Sequence, residues 1–191
     1  EIVRRIASRA GDHVLCALDF SKAIPEDCAT AVVVPVLLTS PERARGVARS
    51  LEALYLGNRS DKLRFILLGD FKDAKKKEQE SDAAIVREAT LCIRELNARY
   101  GPRFFYLQRP RLLHAPDRIY MGRERKRGAL CDLARLLLKG ETEPFADVDG
   151  ILLEKPFRYM LTLDADTQMQ PGGICKLIGA LAHPLNRSHM D

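Results

Sequence analysis

The sequence predicts an α/β fold with a mainly parallel sheet and helices on both of its faces. Four short apolar runs alternate along the chain with amphipathic helical patterns, and such alternation is typical of strand–helix–strand crossovers. The first run, Ala31–Leu38, is continuously apolar, as strands covered on both faces are. In such sheets ligands bind at the carboxyl ends of the strands, so the residues that follow the four strands are the first functional candidates.

The first strand and the helix after it have the clearest boundaries. Ala31–Leu38 is a β-branched run, and Pro35 within it has no N–H to donate to a neighbouring strand. We therefore expect this strand to be irregular at Pro35 or to lie beside a ligand there. Thr39-Ser40-Pro41 has the form of a helix cap followed by proline in the first turn. The helix is expected to end at Gly57-Asn58.

The remaining elements follow from periodicity, capping and termination signals. Further strands are expected at Leu63–Leu68, Phe104–Leu107 and Phe157–Leu163, and further helices at Asp82–Tyr100, Glu124–Lys139 and Pro171–Ala182. The second strand is expected to close at Gly69-Asp70, and the main loops are Phe71–Ser81, Arg109–Met121, Glu141–Pro156 (with a short piece of structure at Gly150–Leu153) and Asp164–Gln170. A helix at Glu1–Ala10 and an irregular lead-in form residues 1–30, and residues 31–191 form the main unit.

Composition narrows the class of protein. The chain has 191 residues, of which 46% are hydrophobic and 30% charged; this suits one globular domain and excludes collagen-like, disordered and disulfide-rich classes. No apolar run approaches the ~20 residues that cross a bilayer. The net charge of +5 comes from interleaved charges, unlike the basic stripe of a nucleic-acid-binding protein. Five cysteines without a CxxC spacing indicate reduced thiols in a reducing compartment.

The most informative motif is Asp164-Ala165-Asp166, which follows the fourth predicted strand. Two carboxylates one residue apart can reach one hard cation, and Mg²⁺ or Mn²⁺ is commonly held by one or two carboxylates with phosphate oxygens and water. Such a site would hold a nucleoside diphosphate and stabilise it as a leaving group. The same spacing recurs at Asp147-Val148-Asp149, which follows no strand and is interpreted as surface loop.

Other chemistries of paired carboxylates and phosphates have less support. A haloacid-dehalogenase-type phosphatase also places two aspartates after a strand, but it requires Thr or Val two residues after the second one, where this chain has Gln168. The chain has no P-loop, and no GxGxxG motif follows a predicted strand. A metal-dependent phosphotransferase or hydrolase that uses Asp164 and Asp166 stays open as an alternative.

Asp70 and a basic run are further candidates at the same sheet edge. The Asp70 carboxylate could accept a hydrogen bond from a uracil N–H or a ribose hydroxyl, or Asp70 could simply begin a loop. The run Arg123–Gly128, which includes Lys126 and Arg127, opens a helix, where cations oppose the helix dipole unless an anion lies nearby. A diphosphate would be such an anion, and a solvated basic face is the alternative.

Seven blocks of sequence occur in a characteristic order along the chain. They are Leu18–Lys22, Val33–Ser40, Leu67–Phe71, Leu96–Gly101, Met121–Gly128, Thr162–Thr167 and Ala182–Arg187. Together they resemble the glycosyltransferase domain of bacterial cyclic β-1,2-glucan synthases, over nearly the whole chain. Each block alone would be a weak signal, whereas the seven in order are specific.

The resemblance implies a GT-A-like nucleotide-binding fold with strand order 3-2-1-4. It also implies UDP-glucose as donor, Mg²⁺ or Mn²⁺ as cofactor, and inverting transfer of glucose to a growing β-1,2-glucan. Inversion requires one in-line displacement in which the metal stabilises the departing UDP and a carboxylate base takes the acceptor proton. By position, Asp164 and Asp166 resemble the metal ligands, and the nucleotide-sugar-binding positions are Pro35, Leu37, Thr39, Asp70, Lys126, Arg127 and Asp164.

Two departures from the family pattern limit what the resemblance implies. Ala134 stands where related transferases often have Asn. The general base and the acceptor-binding motifs of the family lie downstream of the metal motif, so no catalytic base is assigned in this chain. We therefore expect residues 31–191 to be the donor half of the domain and the isolated chain to transfer little or no glucose. The start at Glu1 suggests an excised piece, and the origin of Ser188–Asp191 stays open.

The implied partners are UDP-glucose, a β-1,2-glucan acceptor bound outside this chain, and the rest of a large synthase at the cytoplasmic face of the bacterial inner membrane. No nucleic acid is expected. An RNA-binding module would need an aromatic strand face and a steep salt dependence, and the chain has no tryptophan. The other alternative is a folded, non-catalytic piece that self-associates through exposed apolar surface.

Overall fold

The structure is a computed structural model, which describes residues 15–145, 148, 152 and 156–186. Six strands are present among them: β1 Thr30–Leu38, β2 Leu63–Phe71, β3 Phe104–Gln108, β4 Leu112–His114, β5 Ile119–Met121 and β6 Tyr159–Thr162. The helices are α1 Pro41–Gly57, α2 Asp82–Tyr100, α3 Arg125–Lys139 and α4 Gly173–Ala182, with short 3₁₀ turns at Glu26–Cys28 and Pro184–Asn186. A parallel four-stranded sheet has the order β3-β2-β1-β6, and β4 pairs with β5 in a separate hairpin.

Helices cover both faces of the parallel sheet because successive residues of each strand point to opposite sides. Val32 and Val34 of β1 lie in the core that α1, α2 and α4 complete. Ala31 and Val33 lie in the core on the opposite face, which α3 completes. The strand order confirms the prediction, since β6 is the fourth strand of this sheet, and the architecture is consistent with a GT-A-like fold.

Four aromatic rings form a cluster in the core beneath α1 and α2. The rings are those of Tyr55, Phe65, Tyr100 and Phe104, and five of their six pairs have centroids 5.1 to 6.2 Å apart. Phe65 of β2 and Phe104 of β3 are fully buried. Edge-on and tilted ring contacts add to the free energy gained from burying apolar area. The cluster therefore ties both helices to the same pair of strands.

The second strand is longer than the sequence predicts. β2 continues through Gly69-Asp70 to Phe71, so the prediction that Gly69-Asp70 closes this strand is wrong. The extension is held because β1 also runs on to Leu38, whose register partner is Phe71. Asp70 is therefore a strand residue with a fixed backbone, in register with Leu37.

The prediction of a loop over Arg109–Met121 is also wrong in part, since this segment contains the β4–β5 hairpin. The strands are only three residues long each, too short for periodicity to reveal. Backbone hydrogen bonds in both directions between Ala74 and Tyr120, at 2.8 and 2.9 Å, attach the hairpin to the loop after β2.

Several element boundaries shift by one or two residues from their predicted places, the start of β1 and the ends of β3 and β6 by one residue each. β6 begins at Tyr159 rather than residue 157. α3 begins at Arg125 because Glu124 has a left-handed backbone with φ of 51°. α4 begins at Gly173 rather than Pro171 because Gly172, with φ of 71°, turns the chain before it.

Several predictions concern residues outside the described ranges. They are the helix at Glu1–Ala10, the aspartates of Asp147-Val148-Asp149, most of Gly150–Leu153, and Arg187–Asp191. Within Gly150–Leu153, Leu152 is described, and it is buried in the core beside α3. All five cysteines are free thiols. None of the described helices is long and apolar enough to cross a membrane.

The start of α1 offers a test of the capping prediction. The Ser40 Oγ accepts a hydrogen bond from the Arg43 backbone N–H at 3.2 Å, with Pro41 in the first turn. We expect Ser40→Ala to lower the free energy of unfolding by about 1 kcal/mol, measured by urea denaturation, because that donor loses its partner. Ser50→Ala is the control, since the Ser50 hydroxyl only bonds back to its own helix at Gly46. Equal effects of the two substitutions would contradict the capping role.

Candidate active site at the carboxyl edge of the sheet

The carboxyl end of β1 is open on one side. β6 pairs with β1 only as far as Val33, whereas β2 pairs with it to Leu38. Among the described residues, positions 34–38 therefore have a strand neighbour on one side alone. Pro35 lies in this stretch, and the strand continues through it without interruption. The predicted irregularity at Pro35 is therefore absent, and the alternative, a ligand beside Pro35, stays a prediction. Leu37, 44% exposed, and the exposed Thr39 follow at the same edge.

The predicted metal motif reaches this edge through β6. Thr162 is in register with Val33, and the Leu163 N–H donates to the Val33 carbonyl at 2.9 Å. Asp164 comes next, beyond the last strand pairing. Both Asp164 and Asp166 are exposed, as side chains that bind a ligand from solvent must be.

Lys126 contacts the first of these carboxylates. Its Nζ forms an ion pair with Oδ1 of Asp164, and both side chains are more than half exposed. The first turn of α3 and the loop after β6 are thus brought together, as the sequence predicts from a shared sheet edge. Arg127 is 84% exposed and makes only a long ion pair of 3.6 Å with Glu124, so its side chain is free to turn toward a ligand.

Asp70 is held by an arginine that the sequence analysis did not identify. The Arg109 Nε donates to Asp70 Oδ1 at 2.8 Å, and Nη2 donates to Oδ2 at 2.7 Å. This two-point geometry is the strongest form of a carboxylate–guanidinium pair. The Asp70 side chain is 13% exposed, so it reaches solvent only at its rim. Its predicted contact with a nucleotide stays a prediction.

Arg109 uses every one of its five N–H donors within the protein. Besides the two bonds to Asp70, Nη1 donates to Asp132 Oδ2 at 2.9 Å and to the carbonyl of Arg123 at 3.1 Å, and Nη2 donates to the carbonyl of Arg125 at 2.8 Å. A guanidinium has five N–H donors and no acceptor, so its hydrogen bonding is complete. Burial lowers the pKa of Arg109, but its bonds to Asp70 and Asp132 outweigh burial and raise the pKa above its usual value.

The signal for this network lies on α3. Asp132 is 5% exposed and shares the buried face of the helix with Ala129, Leu133 and Leu136. A charged residue on an apolar helix face is rare unless it is paired. Asp132 therefore indicated a buried cation, although its partner could not be named from the sequence.

The two carboxylates of the metal motif have the donor chemistry that Mg²⁺ or Mn²⁺ prefers. In the part of the chain that the structure describes, no group of three or more Asp, Glu, His or Cys side chains could hold a metal ion. Asp164 and Asp166 could supply two oxygen ligands, and the remaining ones would have to come from water and a phosphorylated ligand. A site with two protein ligands is suited to a metal ion whose other ligands come from a bound nucleotide and water.

A large groove lies elsewhere, along the outer edge of β3. Its volume is about 890 Å³, and it is bordered by α2, β3, Arg109 and Pro144. None of the predicted donor-binding or metal-binding residues lines it. The residues of the predicted site instead lie on an exposed, charged edge of the sheet.

Comparison with known proteins supports the relationship suggested by the sequence blocks. No protein-family model matches the chain. The chain is 37% identical over 177 residues to the cyclic beta-(1,2)-glucan synthase NdvB of Rhizobium meliloti (strain 1021). The alignment covers 91% of this chain and 6% of that protein, so the chain corresponds to a short segment of a much longer relative.

Proposed function

We propose, from the premise that this chain is homologous to a segment of a cyclic beta-(1,2)-glucan synthase, that it is the donor-binding part of a glycosyltransferase of cyclic β-glucan synthesis. The donor we propose is UDP-glucose, bound with Mg²⁺ or Mn²⁺. The observation that carries the proposal is the ion pair between Lys126 and Asp164. It places a cation from a helix start beside the metal motif, where a diphosphate would meet both.

Different residues of this edge would bind different parts of the donor. Asp164 and Asp166 would hold the metal, which supplies positive charge to the diphosphate leaving group when bound. Lys126 and Arg127 would face the phosphate oxygens that the metal leaves free. Lys126 already pairs with Asp164. A bound diphosphate would therefore contact the Lys126 ammonium group without having to draw it into the site.

The nucleoside would lie along the open end of β1. Pro35 has no N–H to leave unsatisfied there, and Leu37 and Thr39 offer an apolar contact and a hydroxyl. Asp70, in register with Leu37, would accept from a uracil N–H or a ribose hydroxyl with the oxygen lone pairs that Arg109 does not use. Rigid strand residues suit this role because little ordering is needed on binding.

We also propose that transfer proceeds with inversion and that the general base and the glucan acceptor belong to parts of the synthase outside this chain. The donor-binding part would then work within a larger, membrane-associated protein, at its cytoplasmic face, where nucleotide sugars are made. In this arrangement the present chain binds the donor and stabilises the leaving group, and supplies no base.

Isothermal titration of UDP tests the proposal directly. We expect binding that requires Mn²⁺, disappears with EDTA, and weakens at least about tenfold in Asp166→Asn, because the metal then loses one of its two protein ligands. Asp61→Asn is the matched control. Asp61 is also an exposed aspartate, but it lies before β2 at the opposite end of the strands and pairs with Arg103, so its loss should leave UDP affinity unchanged.

The outcomes separate the candidate chemistries. Binding of UDP that does not depend on metal, or that Asp166→Asn and Asp61→Asn change alike, would contradict a metal site at Asp164 and Asp166. Release of inorganic phosphate from UDP under the same conditions would favour the phosphotransferase or hydrolase alternative instead.

A further inference from the structure

We infer that Arg109 and Asp132 are positioning residues for Lys126, fixing the start of α3 so that this lysine faces the diphosphate. The inference rests on the proposed function, since it assigns a purpose to residues behind the donor site. Neither side chain reaches solvent to any extent: Arg109 is 2% and Asp132 5% exposed. They therefore act through the segment that they hold.

The segment before Lys126 has an unusual backbone. Glu124 and Arg125 have φ of 51° and 49°, in the left-handed region that residues with a side chain rarely adopt. Such a conformation persists only where the surroundings determine it strongly. The carbonyls of Arg123 and Arg125 flank this turn, and both accept hydrogen bonds from Arg109, at 3.1 and 2.8 Å. Arg109 thus holds the turn from both sides, in addition to the turn's own backbone hydrogen bond from Arg125 N–H to the Gly122 carbonyl at 3.0 Å.

Close packing at two glycines leaves the turn little freedom. A Cβ atom on Gly122 would lie 2.8 Å from Oδ1 of Asp70 and 3.0 Å from Nη2 of Arg109. A Cβ atom on Gly128 would clash with the Arg123 carbonyl oxygen. The backbone on both sides of Lys126 therefore lies directly against the Arg109 network, and the two cannot shift independently.

Asp132 balances the charge of this arrangement from the helix side. It accepts from Arg109 at 2.9 Å, from Arg135 at 3.1 Å and from Arg123 at 3.4 Å. Cations at the start of a helix are disfavoured by its dipole, and a buried carboxylate about two turns inside α3 offsets that repulsion. Arg123 of the basic run is thus paired with Asp132 and Arg125 with Asp73, while Lys126 is presented at the sheet edge.

The functional consequence concerns the precision with which Lys126 is placed. Its side chain is long and half exposed, so its own packing cannot fix it. A backbone fixed at residues 123–125 sets the point from which this side chain extends, and the ion pair with Asp164 then holds its ammonium group. Charge stabilisation of a leaving group depends on such prearranged geometry, because a cation that must first be ordered contributes less.

A double-mutant cycle between Asp132 and Lys126 tests the inference on the full 191-residue chain. UDP and uridine are titrated with Mn²⁺ present, uridine being followed by NMR. We expect Asp132→Asn and Lys126→Gln each to weaken UDP binding about tenfold and uridine binding less than about twofold, because uridine lacks the diphosphate. If Asp132 acts through Lys126, the double variant binds UDP no more weakly than Lys126→Gln alone.

Asp82→Asn is the matched control for burial and charge. Asp82 pairs with Arg111, which is also buried, and that pair holds the start of α2 and the carbonyls of Lys72 and Lys77. The control removes the same kind of bond from a neighbouring helix start, and UDP affinity should change less than about twofold. Where Asp132→Asn proves unfolded by circular dichroism, Arg109→Lys replaces it, with the same expected coupling to Lys126.

Several results would overturn the inference. Asp132→Asn could weaken uridine and UDP equally, which would indicate a general structural role. The effects of the two substitutions on the free energy of UDP binding could be additive, or Asp132→Asn could leave UDP affinity unchanged while Lys126→Gln weakens it. Either result would show that Asp132 does not act through Lys126, and neither would contradict the proposed function. If the wild-type chain bound no UDP, the proposed function would fail and the inference with it.

Discussion

Arg109→Met is expected to lower the free energy of unfolding by about 3–5 kcal/mol, since removal of one partner leaves buried charge without compensation. The substitution keeps the bulk of the side chain and removes all five hydrogen bonds. Asp70 and Asp132, which are largely buried, would then lack their shared cation. Urea denaturation followed by circular dichroism measures the difference.

Two comparisons isolate the cause of this effect. Arg127→Met removes a surface arginine that is 84% exposed, and it should change stability by less than about 1 kcal/mol. The triple variant Arg109→Met with Asp70→Asn and Asp132→Asn should regain part of the loss, because the uncompensated charges are gone. Similar losses in Arg109→Met and Arg127→Met would show that the buried arginine stabilises the fold no more than an exposed one.

Phe65→Ala is expected to lower the free energy of unfolding by a similar amount, about 3–5 kcal/mol, for an apolar reason. Phe65 is fully buried, with its ring centroid 5.8 Å from that of Tyr55 and 5.6 Å from that of Phe104. Deleting the ring removes buried area and leaves a cavity bounded by α1 and two strands. The same denaturation experiment measures the loss.

The control for the aromatic cluster is Leu138→Ala on α3. Leu138 is 79% exposed, so its truncation should change stability by no more than about 0.5 kcal/mol. A loss below about 1 kcal/mol for Phe65→Ala would mean that the core around it collapses to fill the space, and that the cluster does not tie α1 and α2 to the sheet.

The parts of the fold that local chemistry determines were predictable from the sequence. α2 has its predicted bounds of Asp82–Tyr100 because its apolar stripe is regular and Gly101-Pro102 stops it. The parallel sheet follows from apolar runs that alternate with helices. The β4–β5 hairpin was missed because its strands are stabilised by each other and by Ala74, not by a pattern within either strand.

The candidate site was predictable only in the part that follows from the sheet topology. A shared sheet edge is enough to bring Lys126 to Asp164, because parallel strands deliver their following loops to one side. Arg109 could not be found in this way. Its five bonds reach β2, the start of α3 and the middle of α3, and such a network depends on packing between segments that are distant in sequence.

The position of β6 in the sheet has a consequence for the order of folding. β1 pairs with β2 after a single intervening helix, but its other neighbour, β6, enters only after β2, β3, the hairpin and α3 have been made. Closing that long loop is entropically unfavourable until the earlier strands give β6 an edge to join. We therefore expect Asp164 to meet Lys126 late in folding, so that partly folded chains lack this ion pair. Pulse-labelling by hydrogen exchange would accordingly find the amides of β6 protected after those of β2.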